Sequence, residues 1–203
     1  MRFHALVRLA RMAVPCLLGL VAAAASAPAA ADDGLLGLFF DRNGNECSGS
    51  IASGQARTVY VVLLGAGSTA GGVTGIEFRV DAASAGGFVL QNAQVASEAF
   101  GIGDPLGDGV TAAFGTCQSS PVPFASFQVL NPGSGGANVQ LAIVRRASLT
   151  AYTCPIAVLC DAPTYTTVCV DGGRMTLNPS APRPCGPSRE DSEWTRVKEL
   201  YRD

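Results

Sequence analysis

The side chains able to do chemistry in this 203-residue chain are cysteines and carboxylates, because its only histidine is His4. His4 lies in a stretch that reads as a cleavable secretory leader spanning residues 1–31. Arg2, Arg8 and Arg11 supply a positive start, Met12 to Ala25 an apolar core, and Ala29-Ala30-Ala31 a small-residue cleavage site before Asp32. The apolar run of about 14 residues is short of the roughly 20 that a bilayer-spanning helix needs. Export is therefore expected, as a secreted, periplasmic or cell-surface protein with no membrane span after cleavage. Cys16 is a poor lipid-attachment site, since Pro15 stands where a small residue belongs. A chain beginning at Asp32 has no histidine, which excludes the usual serine and cysteine hydrolases and histidine-ligated metal enzymes. No G-x-S-x-G elbow or phosphate-binding lysine loop is present either.

Carboxylate chemistry survives that exclusion. Glycan hydrolysis needs two acids facing across a cleft, about 5 to 10 Å apart. Glu77 and Asp81 share one face of a strand, and Asp41 and Glu46 share a loop, so a carboxylate-dependent glycan hydrolase is the rival to a non-catalytic reading. Asp41-Arg42-Asn43-Gly44-Asn45-Glu46 also imitates the start of a calcium loop. Its glycine stands at the fourth position instead of the sixth, however, and Ala52 occupies the twelfth, where a bidentate Glu belongs. Val61 to Gly67 imitates a dinucleotide-binding turn, but Ala70 replaces the third glycine and a strand follows instead of a helix. No metal and no cofactor are expected.

Removing the leader leaves six cysteines: Cys47, Cys117, Cys154, Cys160, Cys169 and Cys185. An even set in an oxidising compartment reads as three disulfides, with fifteen connectivities open. Zinc is disfavoured because no C-x-x-C pair occurs among them. Three of the 14 basic residues and none of the 16 acidic ones lie in the leader, so the mature charge is 11 minus 16, or −5. With Lys198 as its only lysine, the chain offers no basic face for nucleic acid.

The elements that must position these groups are short β-rich runs punctuated by glycine, the pattern of an all-β antiparallel two-sheet sandwich. Eight runs read as strands: Leu36 to Asp41, Thr58 to Leu64, Gly75 to Asp81, Phe88 to Asn92, Phe124 to Leu130, Asn138 to Val144, Tyr165 to Val170 and Arg174 to Asn178. Ile76, Phe78 and Val80 alternate with Glu77, Arg79 and Asp81, giving one buried and one wet face. Val59 to Leu64 is continuously apolar, as expected for a central strand. Gly-Gly pairs at 71/72, 86/87, 135/136 and 172/173 are expected turns, with Asp171-Gly172-Gly173 the clearest hairpin. Phe39, Phe78 and Phe127 read as core, and Tyr152 and Tyr165 as the best exposed aromatics.

The sandwich domain is assigned to residues 32–178 and a proline-rich linker to 179–189, with Pro179, Pro182, Pro184 and Pro187. Residues 190–203 read as an amphipathic helix whose stripe is Trp194, Val197, Leu200 and Tyr201. A helix this short needs something to dock on, its own domain or a partner, so these four residues are candidate docking or sorting residues.

Gly37 to Asp41 with Cys47, Thr74 to Asp81, Cys160 to Pro163, Val168 to Val170 and the Trp194 to Tyr201 tail resemble segments of exported bacterial proteins of unknown function with a cysteine-containing β-sandwich. Thr74 to Asp81 also resembles a strand of cohesin-type sandwiches. That resemblance implies an Ig-like or cohesin-like sandwich, and a non-enzymatic surface module that presents a sheet face to a protein partner. The functional expectation is thus a binding or structural module outside the cytoplasm, with protein or glycan at the cell surface as partner.

Overall fold

A computed structural model describes residues 33–83, 85–181 and Cys185. The leader (1–31), most of the linker and the 190–203 segment with Trp194, Val197, Leu200 and Tyr201 lie outside the described residues. What is described is an all-β, two-sheet sandwich. Its strands are β1 (Leu35–Phe39), β2 (Ser48–Gly49), β3 (Ala56–Leu64), β4 (Val73–Asp81), β5 (Val89–Val95), β6 (Ala99–Asp104) and β7 (Gly109–Gln118). They continue with β8 (Val122–Leu130), β9 (Val139–Val144), β10 (Ile156–Leu159), β11 (Thr167–Cys169), β12 (Asp171–Gly172) and β13 (Arg174–Leu177).

One sheet has the order β12-β1-β3-β8-β5. The other runs β11-β10-β4-β9-β13-β2, with β7 also paired to β4 and β6 to β7. The core between them is made by alternation: Val59, Val61 and Leu63 of β3 face Ile76, Phe78 and Val80 of β4, all at 1% exposure or less. The continuously apolar β3 is the middle strand of its sheet, as its composition predicts. Its outward-facing Val62 is also fully buried, against Phe39, Cys47 and flanking Tyr60 and Leu64. A second, smaller apolar cluster therefore covers the outside of this sheet.

Four sequence expectations change. First, Asp171-Gly172-Gly173 is not a hairpin: β11 pairs with β10 and β13 with β9, while Asp171–Gly172 crosses to the other sheet and pairs in parallel with β1. The Asp171 N–H donates to Gly34 O at 3.0 Å and the Gly173 N–H to Leu36 O at 2.8 Å, so this segment stitches the two sheets together. Secondly, positive φ among the Gly-Gly pairs occurs only at Gly72, Gly86 and Gly87. Gly172 is instead a close-approach position, where a Cβ would lie 2.2 Å from Ile143 O. Thirdly, β6, β7 and β10 lie where no strand was expected: the inward positions of β6 are Ala99, Gly101 and Gly103, β7 mixes Val110 and Phe114 with small residues, and β10 is only four residues long. Fourthly, Tyr165 does not begin a strand: β11 starts at Thr167, and Tyr165 has φ 49°.

The long strand β4 organises the second sheet. Its first half pairs with β7 on one side and β10 on the other, and its last three residues pair with β9. The 145–155 connection from β9 to β10 crosses β4, where the Ala147 N–H donates to Asp108 O at 2.8 Å. The sheet forks at Arg79.

Candidate functional site

The six cysteines pair as Cys47–Cys185, Cys117–Cys160 and Cys154–Cys169, with Cα–Cα distances of 5.3, 5.7 and 5.6 Å. Cys117–Cys160 ties the end of β7 to the end of β10, and Cys154–Cys169 ties the entry of β10 to β11. Cys47–Cys185 pins Cys185 beside the small outer cluster. Ser180 is likewise held to the body, its N–H donating to Asn138 Oδ1 at 2.9 Å.

The acids singled out for hydrolysis are occupied otherwise. Glu77 Oε1 accepts from Thr111 Oγ1 at 2.5 Å, and Thr111 Oγ1 accepts from Arg146 Nη1 at 2.6 Å, so Glu77 ends a relay that anchors the 145–155 connection. Asp81 lies four residues further along the same strand, roughly 13 Å away at 3.3 Å per residue, beyond the span of a catalytic pair. Its Oδ1 accepts from the Ala83 N–H at 3.1 Å. Glu46 forms a two-pronged pair with Arg57 at 2.9 and 3.0 Å.

Asp41 is the hub of its own loop. Its carboxylate accepts from the backbone N–H groups of Asn43, Asn45 and Glu46 at 2.8, 3.0 and 2.7 Å, and from the Asn45 amide at 3.4 Å. Burial, the largest single influence, pushes this carboxyl up, yet the N–H donors of Glu46, Asn43 and Asn45 together hold it below its ordinary value. The alternating oxygen side chains of this segment thus build a turn. No group of three or more metal-ligating side chains occurs among the described residues. The Asp161 carboxylate accepts from the Thr166 hydroxyl and backbone N–H, which lower its pKa and close the loop before β11.

Phe39, Phe78 and Phe127 are core, as expected, and Tyr165 is 52% exposed. The residues that sequence reasoning missed are Phe100 and Ile102 of β6, exposed by 72% and 58%. Register aligns them with the outer face of the second sheet. One cross-strand row is Phe100, Ala113, Gly75, Val158 and Thr167, and the next is Ile102, Thr111, Glu77, Ile156 and Cys169. The first row carries no charge, and its middle is nearly flat because Gly75 and Ala113 project almost nothing. Phe100 and Ile102 stand up at one rim. Their inward-facing neighbour Gly101 admits the close approach of β5, since a Cβ there would meet Val95 Cγ2 at 2.5 Å. The signal was present in Phe100-Gly101-Ile102-Gly103, a strict large/glycine alternation that forces both large side chains to one face.

No family model and no curated protein matches the chain. Among solved structures, it is similar to a cohesin module of a family 33 glycoside hydrolase from Clostridium perfringens, at 10% identity and TM-score 0.47, covering 74% of this chain and 100% of that one. It is also similar to the sixth cohesin of scaffoldin B from Acetivibrio cellulolyticus, at 14% identity and TM-score 0.46, covering 72% of this chain and 99% of that one. A type I cohesin from Pseudobacteroides cellulosolvens follows, at 12% identity and TM-score 0.44, with 76% and 96% covered. These likenesses are of overall architecture and extend to no site residue.

Proposed function

We propose that the protein is an exported, non-catalytic binding module whose β6-β7-β4-β10 face receives an apolar segment of a protein partner. The observation that carries this reading is the uncharged row Phe100–Ala113–Gly75–Val158, flat in the middle and bounded by an aromatic side chain that is 72% exposed. Exposing Phe100 and Ile102 contributes nothing to folding, whereas burying them under a partner removes apolar surface worth about 1.5–3 kcal/mol per side chain. Thr74 to Asp81, whose cohesin-type resemblance implied a sheet face offered to protein, is the central strand of this face. The engagement of Glu77, Glu46 and Asp41 in structural hydrogen bonds supports the non-catalytic half of the reading. Three disulfides support the extracellular half.

Residues 32–203, immobilised with their disulfides intact, are expected to retain a protein from envelope extract or culture medium. A Phe100→Asp/Ile102→Asp double variant of unchanged Tm is expected to lose it. Equal retention by the variant would remove this face from the mechanism, and a glycan ligand abolished by the same variant would replace protein with glycan.

No helix among the described residues is long and apolar enough to cross a membrane. We propose that the 190–203 segment, with Trp194, Val197, Leu200 and Tyr201, serves as a separate docking element. Deleting 190–203 is expected to change where the protein is found while leaving the Tm of the sandwich in place.

A further inference from the structure

Where the sheet forks at Arg79, a solvent-open cleft of about 520 Å³ lies between β9, the 145–155 connection and the β11–β12 segment. That is the size of sites that take small molecules. Arg79 and Arg145 both line it, so two basic side chains of an otherwise acidic chain converge on one recess. Thr153 and Asp171 add polar lining, and Pro155 and Val170 form an apolar wall.

The two arginines are held differently. Arg145 is anchored by donation from Nη1 to Leu149 O at 2.7 Å, which fixes the direction of its guanidinium. Arg79 projects from the outer face of β4, its neighbours Phe78 and Val80 being in the core. Its Nε is buried and has no hydrogen-bond partner. Buried polar groups are nearly always paired, and an unpaired donor on a charged group is costly. The Arg146 Nε is buried and unpaired in the same way, so the part of Arg79 that can meet a molecule in the cleft is the outer end of its guanidinium.

Two guanidiniums and the Asp171 carboxylate give the lining a net charge of +1, which matches a monoanion better than a phosphate or sulfate dianion. A carboxylate also fits the planar N–H fork of arginine. We infer that this cleft is a binding site for a small molecule bearing one carboxylate, held by Arg79 and Arg145 with its carbon body against Pro155 and Val170. The cleft adjoins the Ile102 row but shares no lining residue with it or with the Phe100 row, so the two sites are tested by different substitutions.

The test is NMR titration of 15N-labelled residues 32–203 with disulfides intact, using benzoate, acetate and benzyl alcohol at constant ionic strength. Benzoate should produce a saturable shift of the Arg79 Nε–Hε signal and of the Val144, Ala147, Thr153 and Gly172 amides. Acetate should displace it with several-fold weaker affinity, since it lacks the apolar body, and benzyl alcohol should leave these signals unmoved. Arg145→Gln and Arg79→Gln should each weaken benzoate binding about tenfold or more. Arg145→Gln keeps the test decisive if Arg79→Gln fails to fold. The inference is overturned by the absence of a saturable shift at decimolar carboxylate, by equal binding of benzyl alcohol, or by undiminished binding to Arg145→Gln.

Discussion

Phe39→Ala tests whether the outside of the β1-β3 sheet carries a true second core. Phe39 belongs to the outward-facing set of β1, since Leu36 and Leu38 fill the inner face. On an ordinary sandwich an outward position is wet, and truncating it changes stability by about 0.5 kcal/mol or less. Phe39 is instead 1% exposed, packed with Val62 at 0% and Cys47 at 5%. A phenylalanine that buries roughly 150–250 Å² at about 25 cal/mol per Å² contributes about 4–6 kcal/mol. Residual burial in the unfolded chain trims this to about 3–5 kcal/mol, in line with core Phe→Ala substitutions. Gly37 sharpens the test, because a Cβ at that position would stand 2.5 Å from Phe39 Cε2. Gly37→Ala should therefore cost about 1–3 kcal/mol by overpacking in the parent, and close to nothing in the Phe39→Ala background. Urea unfolding followed by far-UV circular dichroism, with all disulfides intact, reads both effects. A Phe39→Ala cost below about 1 kcal/mol, or strict additivity of the pair, would refute the second core.

Asp41→Ala should destabilise by about 1–3 kcal/mol, because three backbone N–H groups lose their acceptor, and the same urea titration measures it. The folded-state pKa of Asp41 is depressed, so its contribution is fully present above the unfolded pKa and fades as pH falls through the folded one. Stability of the parent should accordingly decline in acid, with a shallower decline in Asp41→Ala. Cys117→Ser/Cys160→Ser should cost about 2–4 kcal/mol, since this bridge closes a sequence separation of 43 residues, while peptide mapping of the parent should return the three stated pairs and no others. Phe100→Asp/Ile102→Asp should shift stability by about 0.5 kcal/mol or less, as expected for side chains exposed by 72% and 58%, while abolishing partner retention.

Strands with large apolar residues at every second position were legible in advance. Ile76, Phe78 and Val80 announced β4 and its inner face, and the unbroken run from Val59 to Leu64 announced the central β3. Strands β6 and β7 were not legible, because Gly101, Gly103, Ala112, Ala113 and Gly115 carry too little side chain for a hydrophobic period to register. Gly101 and Gly103 are small because Val95 and the Gly109 carbonyl pass close to them, whereas Ala113 and Gly115 lie on the exposed side. The same blindness hid the candidate face, which is defined by what Gly75 and Ala113 lack as much as by Phe100 and Ile102.

The amino-acid sequence alone determined chemistry that depends only on which residues exist. Residues 32–203 contain no histidine, six cysteines and a net charge of −5, so no step in that stretch can use an imidazole, whatever the fold. Tertiary structure alone decided which residues meet. It chose one of fifteen cysteine connectivities, turned Asp171-Gly172-Gly173 from an expected hairpin into a stitch between sheets, and committed Glu77 and Asp41 to structural hydrogen bonds. It also brought Arg79 and Arg145, far apart in sequence, into one cleft. Composition is additive along the chain and can be read in order. Pairing, register and convergence depend on long-range contacts that only the packed sandwich selects.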